Sequence, residues 1–433
     1  MQQTPVWRVI VAALSDLQLR AFPEPLAGTV SVPVLSQDQL AAIEADADKI
    51  LAEIGIAFRD DPESLALLDG MGAKIDGDIA RMDGAALRRV ISSAPSSFAI
   101  KSRNPDRDLM VGTGKRVFVP SYGTPNVRHL DGSYGLGSLA DYHMLVRLAH
   151  DMPIINHTGT LLCFPHDLSE GHRPLEVVAA HLKLSDKPFM GSVLTPDGCA
   201  DAIDLTAAVV GDDEMDRHCY LMHLINSNPP LVYVEKALKT LRTAAIRNQG
   251  CLVTAYAMMG ASSSVSLMGT LAQLYAEVMA GAALSQLVRP GAPVIGGIYA
   301  IPFSMRSMIP VFGDPVAALA QMAGCQLVRR LGLPTRGEGG ITSSNTFDGQ
   351  AAAESAFNMT ASFHAGADFI LHSVGWLENG RTISIDKFER ESDWLSTVIG
   401  HPDHSEKPPV PLTQSQEQSL SALLKELRHR RSE

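Results

Sequence analysis

The sequence predicts an α/β protein, a (β/α)8 TIM barrel with an N-terminal helical region. Three observations carry that prediction. Short apolar runs alternate with helical periodicity at spacings of about 30–40 residues between 117 and 374. There are eight such runs, and most are continuously apolar, as strands covered on both faces of a parallel sheet must be. No GxGxxG follows any of them and no Walker A sequence occurs, which weighs against a nucleotide-binding open sheet. An open doubly wound sheet is the alternative that the rhythm leaves standing.

The elements follow in order. Residues 1–33 are rich in Pro and Gly, poorly periodic, and read as a loose arm. Residues 34–110 read as a helical N-terminal region. Ser36 can cap a helix carrying Leu40, Ile43, Ile50, Leu51 and Ile54, ended by Gly55. DPESLALLDGMG and DGAALRRVISSA give two more helices, and SFAIKSRN reads as a strand. The barrel spans residues 111–395. Its strands are read at 117–123, 154–161, 188–194, 219–227, 251–259, 293–300, 334–342 and 368–374. Helices follow at SLADYHMLVRLAHDM and near 173–184, 198–210, 234–248, 265–287, 314–331 and 348–365. Residues 396–433 read as a flexible Pro-rich linker and a last helix, SLSALLKELRHRR.

A net charge of −11 without a long basic run excludes nucleic acid as the expected partner. The five cysteines are scattered without CxxC, so they read as reduced, buried thiols of a cytoplasmic protein. The N-terminus lacks the basic start and cleavage site of a signal peptide, and no apolar stretch reaches the ~20 residues of a membrane span.

In a barrel the chemistry sits at the C-terminal ends of the strands. Those ends hold Tyr122, Asn226 to Asn228, Tyr256, Tyr299, Glu338 and His372, with glycines at 191, 296, 297, 339 and 340. The glycines suggest room for something large beside the backbone. Only one carboxylate is among these residues, so paired-acid hydrolysis is not indicated. No GxSxG and no zinc-ligand spacing occurs, and no metal site is expected. Tyr122, Phe164, Tyr256, Tyr299, Phe303, Phe347 and Trp376 lie at or just past strand ends. Aromatic faces around an uncharged pocket suit a cation without protons, such as a quaternary ammonium. His372 reads either as a ligand contact or as a core histidine satisfied by a carbonyl.

Several fragments are shared with a known family: ILAEIGIAFRDDPESLALLDGMGAKIDG, SSAPSSFAIKSRNPDRDL, GSLADYHMLVRLAHDM, LKLSDKPFMG, MGTLAQLYAEVMAGAALSQLVRPGAPVIGG and GADFILHSVGWLENGRTIS. In their order and spacing the chain resembles the trimethylamine methyltransferase family. The resemblance implies a (β/α)8 barrel that demethylates methylated amines. It also implies a partner corrinoid (cobalamin) protein whose cobalt(I) takes the methyl group, with no cofactor held tightly by this chain. Founding members carry pyrrolysine near the segment matching SSNTFDGQAAAES, and the resemblance places that position at Ala351. Only ordinary residues stand there, so the chain resembles the non-pyrrolysine branch, which includes glycine betaine methyltransferases. A quaternary amine leaves without needing a proton, which fits a site poor in acid–base groups.

The resemblance assigns His372, Gln350 and Glu277 as catalytic candidates. Tyr122, Tyr256, Phe347 and Trp376 become walls of the substrate site, and Arg306 or Arg336 the holder of a substrate carboxylate. Direct methyl transfer to a folate, or a catalytically inactive betaine-binding barrel, are the other readings. Two departures stand out: only about 40 residues follow DKFERE, and SIDKF replaces an SxEK-like pattern. A homo-oligomer through the 34–96 helices is a further expectation.

Overall fold

The computed structural model describes residues 31–399 and 407–432. Most of the arm expected over 1–33, and residues 400–406 of the expected linker, lie outside the described residues.

Seven strands and one irregular segment close a ring. In ring order they are Val117–Phe118, residues 154–162, Phe189–Met190, Leu221–Asn226, Gly250–Met259, Val294–Ser304, Arg336–Glu338 and Phe369–Leu371. Neighbouring ring strands pair in parallel, with a single bridge from Gly296 to Thr335 joining Val294–Ser304 to Arg336–Glu338. The expected strand at 154–161 does not form. Gly159 (φ +71°) and Leu161 (φ +47°) turn left-handed and break the extended run. The ring closes there by other means. Thr158 N–H donates to Pro188 O and Met190 N–H to Gly159 O, each at 2.9 Å. On the other side the Asn156 amide stands in for backbone, accepting from Phe118 N–H (2.8 Å) and donating to Arg116 O (3.0 Å).

Helices alternate with the strands along the outside, from Leu139–Asp151 to Ile385–Ile399. The last of these runs past the expected barrel limit at 395. Leu267–Val288 is long and apolar enough to cross a membrane by length and composition, contrary to the sequence expectation. It is a core helix here, with 83% of its apolar window buried. Tyr233, Val253 and helix residues Leu271 to Leu284 share one apolar cluster with Leu40, Ile43 and Leu51 of the N-terminal region.

That region is not purely helical. Ser36 forms a capping box on Gln37–Lys49, and Asp61 and Asp83 cap Pro62–Gly70 and Gly84–Ile91. Between them, three short strands (Ile56–Phe58, Lys74–Asp76, Ile79–Arg81) form a small sheet that Val232–Tyr233 extends in parallel. Gly55 is required at the turn into it, at φ +83° with Ala80 O only 2.6 Å from where a Cβ would stand. A hairpin, Phe98–Ile100 with Leu109–Val111, plugs the lower end of the ring. Phe98, Ile100 and Val111 pack with the inward residues Met222, Leu252 and Phe369.

The mouth carries a separate four-stranded sheet, ordered Trp376–Leu377, Thr382–Ser384, Asn126–Arg128, Tyr134–Leu136. The C-terminal helix Gln414–Arg430 is docked rather than trailing. It buries Leu420, Leu424 and Leu427, and Arg431 pairs with Asp197 and Asp201 at 2.8 and 2.9 Å. All five cysteines are buried and free.

Candidate active site

A cavity of about 480 Å³ opens at the C-terminal ends of the strands. Tyr256 and Tyr299 are register partners on adjacent strands, so both point inward, and their rings stack at 5.9 Å. Arg336 and Glu338, two apart on one strand, share a face by the pleat. His372 follows the last ring strand, and Tyr122 follows the first. Trp376 hangs from the mouth sheet and meets the His372 ring edge-to-face at 4.4 Å and the Phe312 ring at 5.4 Å. A second chamber of about 510 Å³ shares Tyr122, Leu224, Asn226, Asn228 and Trp376 with the first and extends toward Lys236 and Asn379.

His372 adopts φ +56°, a left-handed conformation that disfavours a non-glycine residue by about 1–3 kcal/mol. The strain is held by its surroundings. His372 Nδ1 accepts from Tyr122 N–H at 3.1 Å, which puts the ring proton on Nε2, facing Glu338 Oε2 at 3.7 Å. Burial, with the Arg336 charge adding to it, holds the imidazole well below its ordinary pKa, so it is neutral. Glu338 pairs with Arg336 Nη2, and Arg336 Nη1 donates to Thr254 Oγ1 at 3.0 Å. Burial raises the Glu338 carboxyl to about 7, with Arg336 opposing the rise. Among the described residues, four buried polar atoms on residues that line this cavity have no hydrogen-bond partner: Arg336 Nε, Glu338 Oε2, Tyr299 Oη and Trp376 Nε1. Three of them are donors and one an acceptor, the complement of a small ligand with both anionic and cationic ends.

The loops that follow the last two ring strands are tied to the outer helices by a second buried cluster. Lys387, in SIDKF, donates to Gly340 O (2.8 Å), Ser355 Oγ (2.9 Å) and Glu391, whose other oxygen accepts from Gly375 N–H (2.8 Å). The strand-end glycines make room for the protein itself, not for a ligand. A Cβ at Gly339 would stand 2.4 Å from Ser373 Cα, and one at Gly191 would stand 2.2 Å from the His223 ring.

A family model for trimethylamine methyltransferase matches residues 12–402. The chain belongs to the trimethylamine methyltransferase family. It is 35% identical to the glycine betaine methyltransferase of Desulfitobacterium hafniense over 84% of this chain and 76% of that one. It is 27% identical to the proline betaine:corrinoid methyltransferase of Eubacterium limosum over 78% and 71% of the two chains. Among solved structures, the hydroxylamine complex of MtmB superposes with a TM-score of 0.56 at 10% identity, over 96% of this chain and 91% of that one. The Methanosarcina barkeri monomethylamine methyltransferase gives 0.52 at 10% identity, over 95% and 97%. At that identity the likeness speaks for the fold.

Within this trimethylamine methyltransferase family barrel, the cavity gathers His372, Tyr122, Tyr256, Trp376 and Arg336 from the residues expected at the site. Four others lie outside it. Gln350 is exposed and bonds Glu354, because it stands in the first turn of Gly349–Ala365 facing outward. Ala351 beside it is buried in that helix, its N–H capped by Asp348. Phe347 is half-buried against the Lys387 and Arg390 side chains, on the loop before that helix. Arg306 is exposed in the turn between Val294–Ser304 and Ile309–Pro310. Glu277 is fully buried behind the site, where it accepts from Ser227 Oγ, Leu231 N–H (2.9 Å) and Gln273 Nε2 (3.0 Å). It shapes the loop that supplies Ser227, Asn228 and Pro229 to the cavity. Sequence reasoning noted Glu338 and Tyr299 at strand ends but gave Glu338 no role, and it missed Phe312. The i, i+2 pair Arg336–Glu338 was the available signal. Among the described residues no group of three His, Cys, Asp or Glu side chains could hold a metal ion.

Proposed function

We propose that this protein removes a methyl group from a betaine-type quaternary amine and passes it to the cobalt(I) of a corrinoid carried by a partner protein. One observation carries the reading: an aromatic cavity at a barrel mouth that pairs ring faces with a buried Arg336 whose Nε has no partner among the described residues. The stacked Tyr256 and Tyr299 with Tyr122, Phe312 and Trp376 offer faces to a trimethylammonium head. Arg336 Nε, Trp376 Nε1 and Tyr299 Oη offer donors to a carboxylate. Neutral His372 adds no competing positive charge beside the cation.

The reduced corrinoid supplies a nucleophile when bound. This chain then has to bind, orient and desolvate the methyl donor. The carbon–nitrogen bond breaks with its electron pair retained by nitrogen, so a neutral tertiary amine departs and no residue has to donate a proton. The second chamber shares Tyr122 and Trp376 with the first, and that is the side on which the acceptor would approach the head group. The names of the two betaine-specific relatives support this substrate class.

The test is the purified chain mixed with cob(I)alamin and, separately, glycine betaine, proline betaine, carnitine, choline and trimethylamine. Methylcobalamin should appear with at least one betaine, together with the singly demethylated amine. Absence of methylcobalamin with every quaternary amine overturns the proposal, and methylated folate formed without cobalamin replaces the acceptor.

A further inference from the structure

Glu338 takes no part in the scheme above, yet among the described residues it is the only carboxylate lining the cavity. It is 5% exposed, and one of its oxygens is spent on Arg336. Its Oε2 has no hydrogen-bond partner among the described residues, although the His372 Nε2 donor stands 3.7 Å away. A purely structural ion pair in a dry core would satisfy both oxygens, since a buried unpaired acceptor is destabilising by about 1–3 kcal/mol. The groups facing it are Arg336 on its own strand, His372 Nε2 from the next strand, and the Tyr256 and Tyr299 phenols from the other side. Arg336 is the one cation among them, and its two Nη donors are engaged by Glu338 and Thr254, leaving Nε.

We infer that Glu338 is the counter-charge of the ligand's methylated nitrogen and the residue by which the site selects a fixed cation over an uncharged group of the same shape. The inference rests on the betaine reading. A compact zwitterion would lie antiparallel to the Arg336–Glu338 pair, its anion on the arginine side and its trimethylammonium between the Glu338 oxygen and the rings. The cavity then stays neutral when occupied, which a lone cation would not achieve. Because burial holds the free carboxyl near neutrality, a permanent positive charge beside it drives its proton off. Ligand binding therefore releases protons around pH 7.

The test uses glycine betaine and 3,3-dimethylbutanoate, in which carbon replaces the charged nitrogen, titrated calorimetrically into the full chain. Wild type should prefer betaine by about tenfold or more, and Glu338→Gln should lose most of that preference. Should the variant misfold, the wild-type pH profile decides. Betaine affinity should rise as pH passes upward through about 7, while dimethylbutanoate affinity should not. A preference retained in Glu338→Gln, or a flat betaine profile, overturns this inference alone. Failure of wild type to bind betaine overturns the betaine reading and the inference with it.

Discussion

Replacing Glu277 separates a residue that does chemistry from one that holds a loop. Its carboxylate is buried and accepts three hydrogen bonds, from Ser227, Leu231 N–H and Gln273. In Glu277→Gln the retained oxygen can keep Leu231 N–H and Gln273, while the new amide donates to Ser227 Oγ, whose hydroxyl reverses. Neutral bonds replace charge-assisted ones, but a desolvated carboxylate disappears, and burial already raises its pKa. The two effects oppose each other, so stability should change by no more than about 1 kcal/mol. Glu277→Ala strands the Ser227 and Leu231 donors at about 1–3 kcal/mol each and leaves a cavity, a loss of about 3–6 kcal/mol. Urea unfolding gives these values, and steady-state methyl transfer gives the kinetics. With the Ser227–Leu231 loop released, Glu277→Ala should raise KM more than it lowers kcat, while Glu277→Gln stays close to wild type. A folded, stable Glu277→Gln whose kcat falls about 100-fold or more would show that the carboxylate works in the reaction, and would refute the loop-holding argument.

Three further predictions follow from other parts of the fold. Asn156→Ala should destabilise the barrel by about 1–3 kcal/mol in urea unfolding, since it removes the acceptor of Phe118 N–H where the ring closes. Leu424→Ala, in the docked C-terminal helix, should lower stability by about 2–4 kcal/mol without changing betaine affinity; no change in stability would mean that the helix does not pack in solution. His157, His181 and His223 are fully buried, and desolvation lowers them to about 3, 3 and 4. The unfolded chain takes up these protons first, so stability is full above about pH 6.5 and declines as pH falls toward 4. The three together give a slope of about 4 kcal/mol per pH unit at most, readable from urea midpoints across that range.

Much of the fold was legible because periodicity is local. The helix Gly198–Val210 and the strand Gly250–Met259 stand within a residue of where their apolar patterns put them. The failures have physical causes. Residues 154–161 look like a strand by hydropathy, but two left-handed residues break it and a side-chain amide closes the ring instead. The strands Ile56–Phe58, Lys74–Asp76 and Ile79–Arg81 are three residues long, too short for alternation to register, whereas Phe98–Ile100 stands where SFAIKSRN put it. At the site, Tyr122, Tyr256 and His372 could be read because a strand's end fixes where a side chain points, while Arg336 came only with the resemblance. Gln350, Phe347 and Arg306 could not, because loops and first helical turns carry no such rule.

The sequence by itself determined the alternation of strands and helices, the aromatic character of the mouth and the scarcity of titrating groups there. Tertiary structure alone decided that Glu338, already placed at a strand end, keeps one oxygen without a partner among the described residues, while Glu277 turns away to brace a loop. Both are glutamates on apolar elements. What separates them is which distant donors the closed ring brings within reach, and that proximity is set by pairing across the sheet rather than by any neighbour in the chain.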